Sequence, residues 1–216
     1  DVQREADIIE EILRVYGYNN IGTTEKLNAS ISNSSKYEDY RIQNIIGDQL
    51  VSQGFYEIMA NSLTSSKYIE LSEQLKSEYN VEMLNPLSQD LSVMRQSMLF
   101  SGLEAIAYNI NRKQSDLKLF EFGKTYHDYS GNRDESKHLA LFVSGNRINE
   151  SWKVAVKQSD FFYLKGIITS VLHRLGISRF KEFAVTNDCF SDGISLGLGK
   201  TNLVDFGLIN KSVLKH

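Results

Sequence analysis

The sequence predicts an α+β fold, a mostly antiparallel sheet with helices packed on it. Three observations predict it. In the second half, short segments of alternating apolar residues are separated by turn chemistry, so hairpins outnumber crossovers. Elsewhere, apolar residues recur at i, i+3 and i+4, the period of an amphipathic helix. Hydrophobic residues make up 41% and aromatics 11% of 216 residues, enough apolar material for a substantial core. No internal repeat is present.

Taken in order, Asp7 to Tyr16 reads as a helix with Ile8, Ile9, Ile12, Leu13 and Val15 apolar, and Gly17 stops it. Asn19 to Ser35 is rich in Asn, Ser, Thr and Gly and reads as a linker. A long amphipathic helix runs from about Tyr37 to Gln53, with Ile42, Ile45, Ile46 and Leu50 as its buried face and Gly54 as its cap. Phe55 to Leu63 reads as a strand, Ser66 to Glu78 as a short polar helix and Val81 to Leu84 as a strand. The only proline, Pro86, makes a turn with Asn85, because it fixes its own φ and pushes Asn85 out of the helical region. A helix starts near Ser97 and carries Leu99, Leu103, Ile106, Ala107 and Ile110 at helical spacing.

Beyond Arg112 the period becomes that of strands. Leu117 to Tyr126 alternates Phe120, Phe122 and Tyr126 onto one face; Tyr129-Ser-Gly-Asn-Arg133 is turn chemistry, and His138 to Ser144 returns as its partner. Asp160 caps a helix whose apolar face holds Leu164, Ile167, Ile168, Val171, Leu172 and Leu175, ended by Gly176. Arg179 to Val185, Ile194 to Leu198 and Leu203 to Ile209 complete the strands.

Composition excludes several classes. The net charge of -3 is unlike that of a domain living mainly by gripping phosphate backbones, although it leaves room for a local basic patch. One cysteine, Cys189, excludes an internal disulfide and a thiolate metal cluster, reads as a lone structural or surface thiol, and fits a reducing, cytoplasmic compartment. No apolar stretch is long enough to span a membrane, and no signal-peptide pattern occurs. The sequon at Asn28-Ala29-Ser30 is then expected to stay unglycosylated. The chain starts at Asp1 inside a helical pattern and reads as a piece of a longer protein.

The candidate chemistry is sparse. Asp1, Asp7, Glu10 and Glu11 cluster in one stretch, and Asp7, Glu10 and Glu11 share a helix face. Such carboxylates suit a hard cation such as Mg²⁺; they equally suit a solvated helix start, where the macrodipole favours negative charge. Gly193-Ile-Ser-Leu-Gly197-Leu-Gly199-Lys200-Thr201 ends like a phosphate loop, but Ile194 stands where glycine is needed and no helix follows, so it reads as strand and turn. His127 and His138 face each other across the hairpin in this reading, without a third ligand; His173 and His216 stand apart. Lys165 is the polar residue of the Asp160-Phe161-Phe162-Tyr163 run, and Trp152 is either exposed or interfacial.

Several segments in register resemble the β subunit of bacterial phenylalanyl-tRNA synthetase. They are Asp1 to Ile21, Gly54-Phe55-Tyr56-Glu57, Asn85-Pro86-Leu87-Ser88, Met94-Arg95, Leu119-Phe120-Glu121-Phe122-Gly123 and Asp160-Phe161-Phe162-Tyr163-Leu164-Lys165-Gly166. The resemblance implies a class II aminoacyl-tRNA synthetase-like core, an antiparallel sheet flanked by helices, in a non-catalytic copy. Residues 1–22 would end the preceding domain, 23–36 would link and 37–216 would form the core. The partner implied is the α subunit, which activates phenylalanine with ATP and Mg²⁺ in an α2β2 assembly; tRNA(Phe) would be bound by the full-length subunit. The family's β carboxylates share a Mg²⁺ site with α, and Asp1, Asp7, Glu10 and Glu11 match them; no catalytic residue is implied.

A class II site holds ATP phosphates with arginines, because its transition state is charged. Here Arg133 lies in the hairpin turn, the last strands carry Lys200 and no Arg, and Arg95 is expected to pair structurally with a carboxylate near the turn. Two departures from the family stand out: Cys189 to Gly193 lacks a proline, and Gly207 to Lys211 lacks a His-Pro pair. The competing readings are a self-sufficient ATP-using ligase core and a homodimeric interaction module.

Overall fold

The computed structural model describes residues 4–22, 26, 38–148 and 151–215. The chain divides into two compact units, Asp1–Tyr37 and Glu38–His216. In the first, α1 spans Glu5–Tyr16 and a 3-10 turn follows at Tyr18–Asn20. The Asp7 carboxylate accepts from the Arg4 backbone N–H at 3.0 Å, satisfying one donor at the helix start. Gly17 ends the helix at φ +91°, a region costly for residues with a Cβ, and its N–H donates to Leu13 O at 2.8 Å. None of the described residues of α1 is buried. Most of the expected linker lies outside the described residues.

The second unit starts with α2 (Asp39–Ser52), followed by β1 (Tyr56–Glu57) and β2 (Leu63–Thr64). Short 3-10 turns lead to β3 (Val93–Met94) and α3 (Leu99–Ile110). β4 (Leu117–Tyr129) and β5 (Asn132–Ser144) form a long hairpin, then β6 (Asn146–Ile148) and β7 (Lys157–Gln158) a small one. After α4 (Phe161–Arg174) come β8 (Lys181–Ala184), β9 (Phe190–Leu198) and β10 (Thr201–Ile209). The strands assemble as β1-β4-β5 and β10-β9-β8, with two-stranded pairs β2-β3 and β6-β7. All pairs are antiparallel except β1 with β4. The single sheet read from the sequence is thus two three-stranded sheets.

The β4–β5 turn is the two-residue loop expected of Ser-Gly: Ser130 at φ +56° and Gly131 at φ +94° match the twist of the flanking strands. α4 holds the two sheets through neighbouring residues. Ile167 and Val171 pack with Ile46, Leu50, Phe55 and Phe120, while Ile168 and Leu172 pack with Leu196 and Phe206. Asp160 caps this helix by accepting from Tyr163 N–H at 2.7 Å.

Five local expectations need correction. Of the α2 face, Ile46 and Leu50 are buried, but Ile42 and Ile45 are 40% and 44% exposed, because the Phe120 side of the sheet meets only one edge of the helix. On α3, Phe100 and Gly102 are buried and Ile110 is exposed. Phe142 lies against the glycine: a Cβ at Gly102 would stand 2.0 Å from the ring. The strand expected over 55–63 survives only at Tyr56–Glu57, paired with Leu119–Phe120, and at Leu63–Thr64. The polar helix expected over 66–78 is two 3-10 turns, Ser66–Leu71 and Ser77–Tyr79. Ser65 and Ser72 hydroxyls accept from the Lys67 and Gln74 backbone, competing with helical bonding. Val81 to Leu84 contributes one bridge, Glu82 to Val93. Among the described residues no helix is long and apolar enough to cross a membrane.

Candidate functional site

The acidic helix is arranged as ion pairs. Asp7 is 3.2 Å from an Arg4 nitrogen and Glu11 is 2.7 Å from an Arg14 nitrogen, each an i, i+3 pair. Glu10 and Glu11 are exposed. Exposed pairs of this kind contribute only about 0.2–1 kcal/mol and rearrange readily. Among the described residues no group of three or more His, Cys, Asp or Glu could hold a metal ion. Asp1 lies outside the described residues. The oxygen chemistry fits Mg²⁺, but Asp7, Glu10 and Glu11 by themselves make an incomplete ligand set.

A different polar group is built into the core. Arg95, one residue beyond β3, and Glu121, on β4, are 2.9 Å apart and only 3% and 2% exposed. Arg95 Nε donates to Lys124 O at 2.9 Å and Nη1 donates to Ser101 Oγ at 3.2 Å. Glu121 Oε1 also accepts from Ala60 N–H at 3.3 Å, whereas the buried Glu121 Oε2 has no partner among the described residues. Gly123 makes room for this arrangement, since a Cβ there would stand 2.2 Å from Arg95 Nη2. Arg95 therefore pairs structurally as expected, but its carboxylate comes from the sheet rather than the Asn85-Pro86 turn. Glu121 was not singled out. Its signal was present: strand alternation puts it opposite Phe120 and Phe122, on the face toward Arg95.

The other cations expected at a nucleotide site are elsewhere. Arg133 follows the hairpin turn, exposed, 3.8 Å from Asp128. Lys200 stands beside Gly199, at φ +64° in the β9–β10 turn, so the phosphate-loop look-alike is indeed strand and turn. Lys165 is 2.6 Å from Glu182. Cys189 is buried with Phe100 and Val213, and burial pushes its thiol pKa up, which opposes the thiolate a nucleophile needs.

The histidines do not face each other. His127 pairs with Asp134 and His138 with Gly123 across the hairpin. His138 Nε2 lies 2.9 Å from Thr125 Oγ1. Burial lowers the pKa of His127, against the opposing pull of Asp134. Burial also lowers that of His138, helped by His127 and Arg95.

The backbone can be compared with known folds at this point. It matches the pyrrolysyl-tRNA synthetase from Desulfitobacterium hafniense over 77% of this chain and 57% of that one, with a TM-score of 0.55 at 13% identity. Another structure of the same synthetase matches over 76% and 54%, with a TM-score of 0.55 at 17% identity. The fold is that of a class II aminoacyl-tRNA synthetase core, as the family resemblance implied.

Residues 23–216 match the family model described as the phenylalanyl tRNA synthetase beta chain CLM domain, and the chain belongs to that family. It is 40% identical to the phenylalanine–tRNA ligase beta subunit of Bacteroides thetaiotaomicron, over 100% of this chain and 28% of the relative. Identity is 35% to the corresponding subunit of Porphyromonas gingivalis, again over 100% and 28%. With that of Lactobacillus acidophilus it is 36%, over 84% and 22%. The chain thus spans little more than a quarter of the length of its first relatives.

Proposed function

We propose that this chain is the non-catalytic synthetase-like domain of a phenylalanine–tRNA ligase β subunit. It packs on the catalytic α subunit of an α2β2 enzyme that uses ATP to attach phenylalanine to tRNA(Phe) in the cytoplasm. Residues 1–22 end the preceding domain, 23–36 link and 37–216 form the core; the division between units at Tyr37 and Glu38 supports this. The observation that carries the reading is Arg95. A cation in a class II core is useful to ATP only where phosphate can reach it, and here the guanidinium is buried against Glu121. Exposed apolar groups support a packing role. Leu84 and Leu87 flank the Asn85-Pro86 turn at 98% and 95% exposure, and Ile42 and Ile45 line α2. Such surface marks protein contacts more often than free faces.

The test is ATP–pyrophosphate exchange with phenylalanine, measured for full-length β alone and for β with α. Exchange is expected only with α, and exchange by β alone would favour the self-sufficient ligase core. A β subunit that dimerises and never co-purifies with α would favour the homodimeric module.

Asp1, Asp7, Glu10 and Glu11 are proposed to share Mg²⁺ with ligands from α, which would complete the partial set on α1. Glu10→Gln with Glu11→Gln in full-length β should weaken α–β assembly or its dependence on Mg²⁺. An unchanged complex would refute the shared ion.

A further inference from the structure

The β6–β7 hairpin carries groups that the packing role does not use. Its connection presents Trp152 at 96% exposure, and every residue from 151 to 158 is exposed. A local bond shapes this segment: the Val154 N–H donates to Ser151 Oγ at 3.1 Å, and Ser151 N–H donates to Val154 O at 3.2 Å. That small turn holds Trp152 and Lys153 at its corner. Lys157 is on β7, paired across from Ile148, next to Arg147 on β6. Among the described residues, Lys153 and Lys157 make no ion pair.

Behind the hairpin, Arg147 and Lys118 approach the Tyr163 ring at 5.6 and 5.4 Å. Among the described residues, the buried Arg147 Nε has no hydrogen-bond partner. Arg147 pairs with Asp160 at 3.8 Å, and that carboxylate is already engaged in capping α4.

We propose that this hairpin is an RNA-contacting element, with Trp152 stacking on an unpaired base and Lys153 and Lys157 meeting the adjoining phosphates. The chain as a whole carries a net charge of -3, whereas residues 147–158 carry Arg147, Lys153 and Lys157 against Glu150 alone, a local excess of positive charge. An exposed π surface with lysines on the same hairpin that form no ion pair among the described residues is the combination that single-stranded nucleic acid requires, because every base has a face to stack and every linkage a charge. Protein interfaces, by contrast, are depleted in lysine at their centres. The choice of tRNA as the RNA rests on the function proposed above; the stacking surface does not.

The experiment uses the α–β complex with full-length β, titrated with tRNA(Phe) at several salt concentrations. Trp152→Ala should weaken binding about thirtyfold, the middle of the range for one stacked base. Lys153→Gln with Lys157→Gln should lower the slope of log affinity against log salt by roughly 0.7–0.9 per lysine. Gel filtration and thermal melting should show assembly and folding unchanged in both variants. Unchanged affinity and slope in both would overturn the proposal. So would loss of α–β assembly, which would assign the hairpin to protein contact. Because assembly and RNA binding are read separately, failure here is distinguishable from failure of the packing role.

Discussion

Helices α1 and α4 have the same design on paper and opposite fates. Each is amphipathic, each has a carboxylate at its cap or in its first turn that accepts a backbone N–H, and each is followed by a glycine at positive φ. Yet α4 buries Ile167, Ile168, Val171 and Leu172, whereas α1 leaves Ile8, Ile9, Ile12 and Val15 in solvent. The difference teaches that an apolar stripe specifies a demand for a covering surface without specifying where it lies. For α4 the two sheets supply it. The α1 stripe is the kind of surface that a longer protein or a second subunit covers.

The comparison sharpens most at the buried ion pair, where the α4-containing unit is most self-contained. Arg95→Met should destabilise this chain by about 3–5 kcal/mol, since it strands Glu121 without its cation. Urea unfolding measures it, and adding Glu121→Leu should restore much of the loss. A single Arg95→Met variant as stable as the parent would mean the pair is not desolvated.

Next comes a matched pair of truncations. Leu172→Ala should cost about 2–5 kcal/mol and Ile12→Ala within about 0.5 kcal/mol, by the same unfolding measurement. Equal costs would break the contrast between the helices. A smaller effect is expected at the cap: Asp160→Ala should cost about 1 kcal/mol, because the Tyr163 N–H loses its acceptor.

The smallest effect concerns pH. His127 and His138 have pKa values held below the ordinary 6.5 mainly by burial. A histidine with a lowered folded pKa binds its proton more readily when unfolded. Stability is therefore level above about pH 6.5 and declines as pH falls from there toward the lowered folded values. Melting temperature followed from pH 7.5 to 5 should show this decline, and His138→Gln should flatten part of it. A variant with the parent profile would remove His138 as a contributor.

Much of the fold was legible because its signals are short-range. Asp160, Gly17, Gly54, Gly176 and the Ser130-Gly131 turn act on backbone groups within a few residues. The candidate site was less legible. Asp7, Glu10 and Glu11 were found as a helical face, but their neighbours on α1 include Arg4 and Arg14, which already engage two of them. Glu121 escaped notice because its meaning depends on Arg95, which is brought to it by packing of α3 and β4 rather than by chain proximity.

The sequence by itself determined the main helices α2, α3 and α4, the β4–β5 hairpin, the caps and turns that act locally, the α+β class and the family resemblance. Those depend on backbone conformation, on apolar period and on residues in register. Only the tertiary structure decided that α3 buries Phe100 and Gly102, with Leu99 and Leu103 packed beside them, that Ile42 and Ile45 stay exposed, and that Arg95 is buried with Glu121. Those outcomes depend on which surfaces meet, and the energy of a buried contact belongs to both partners rather than to either segment alone.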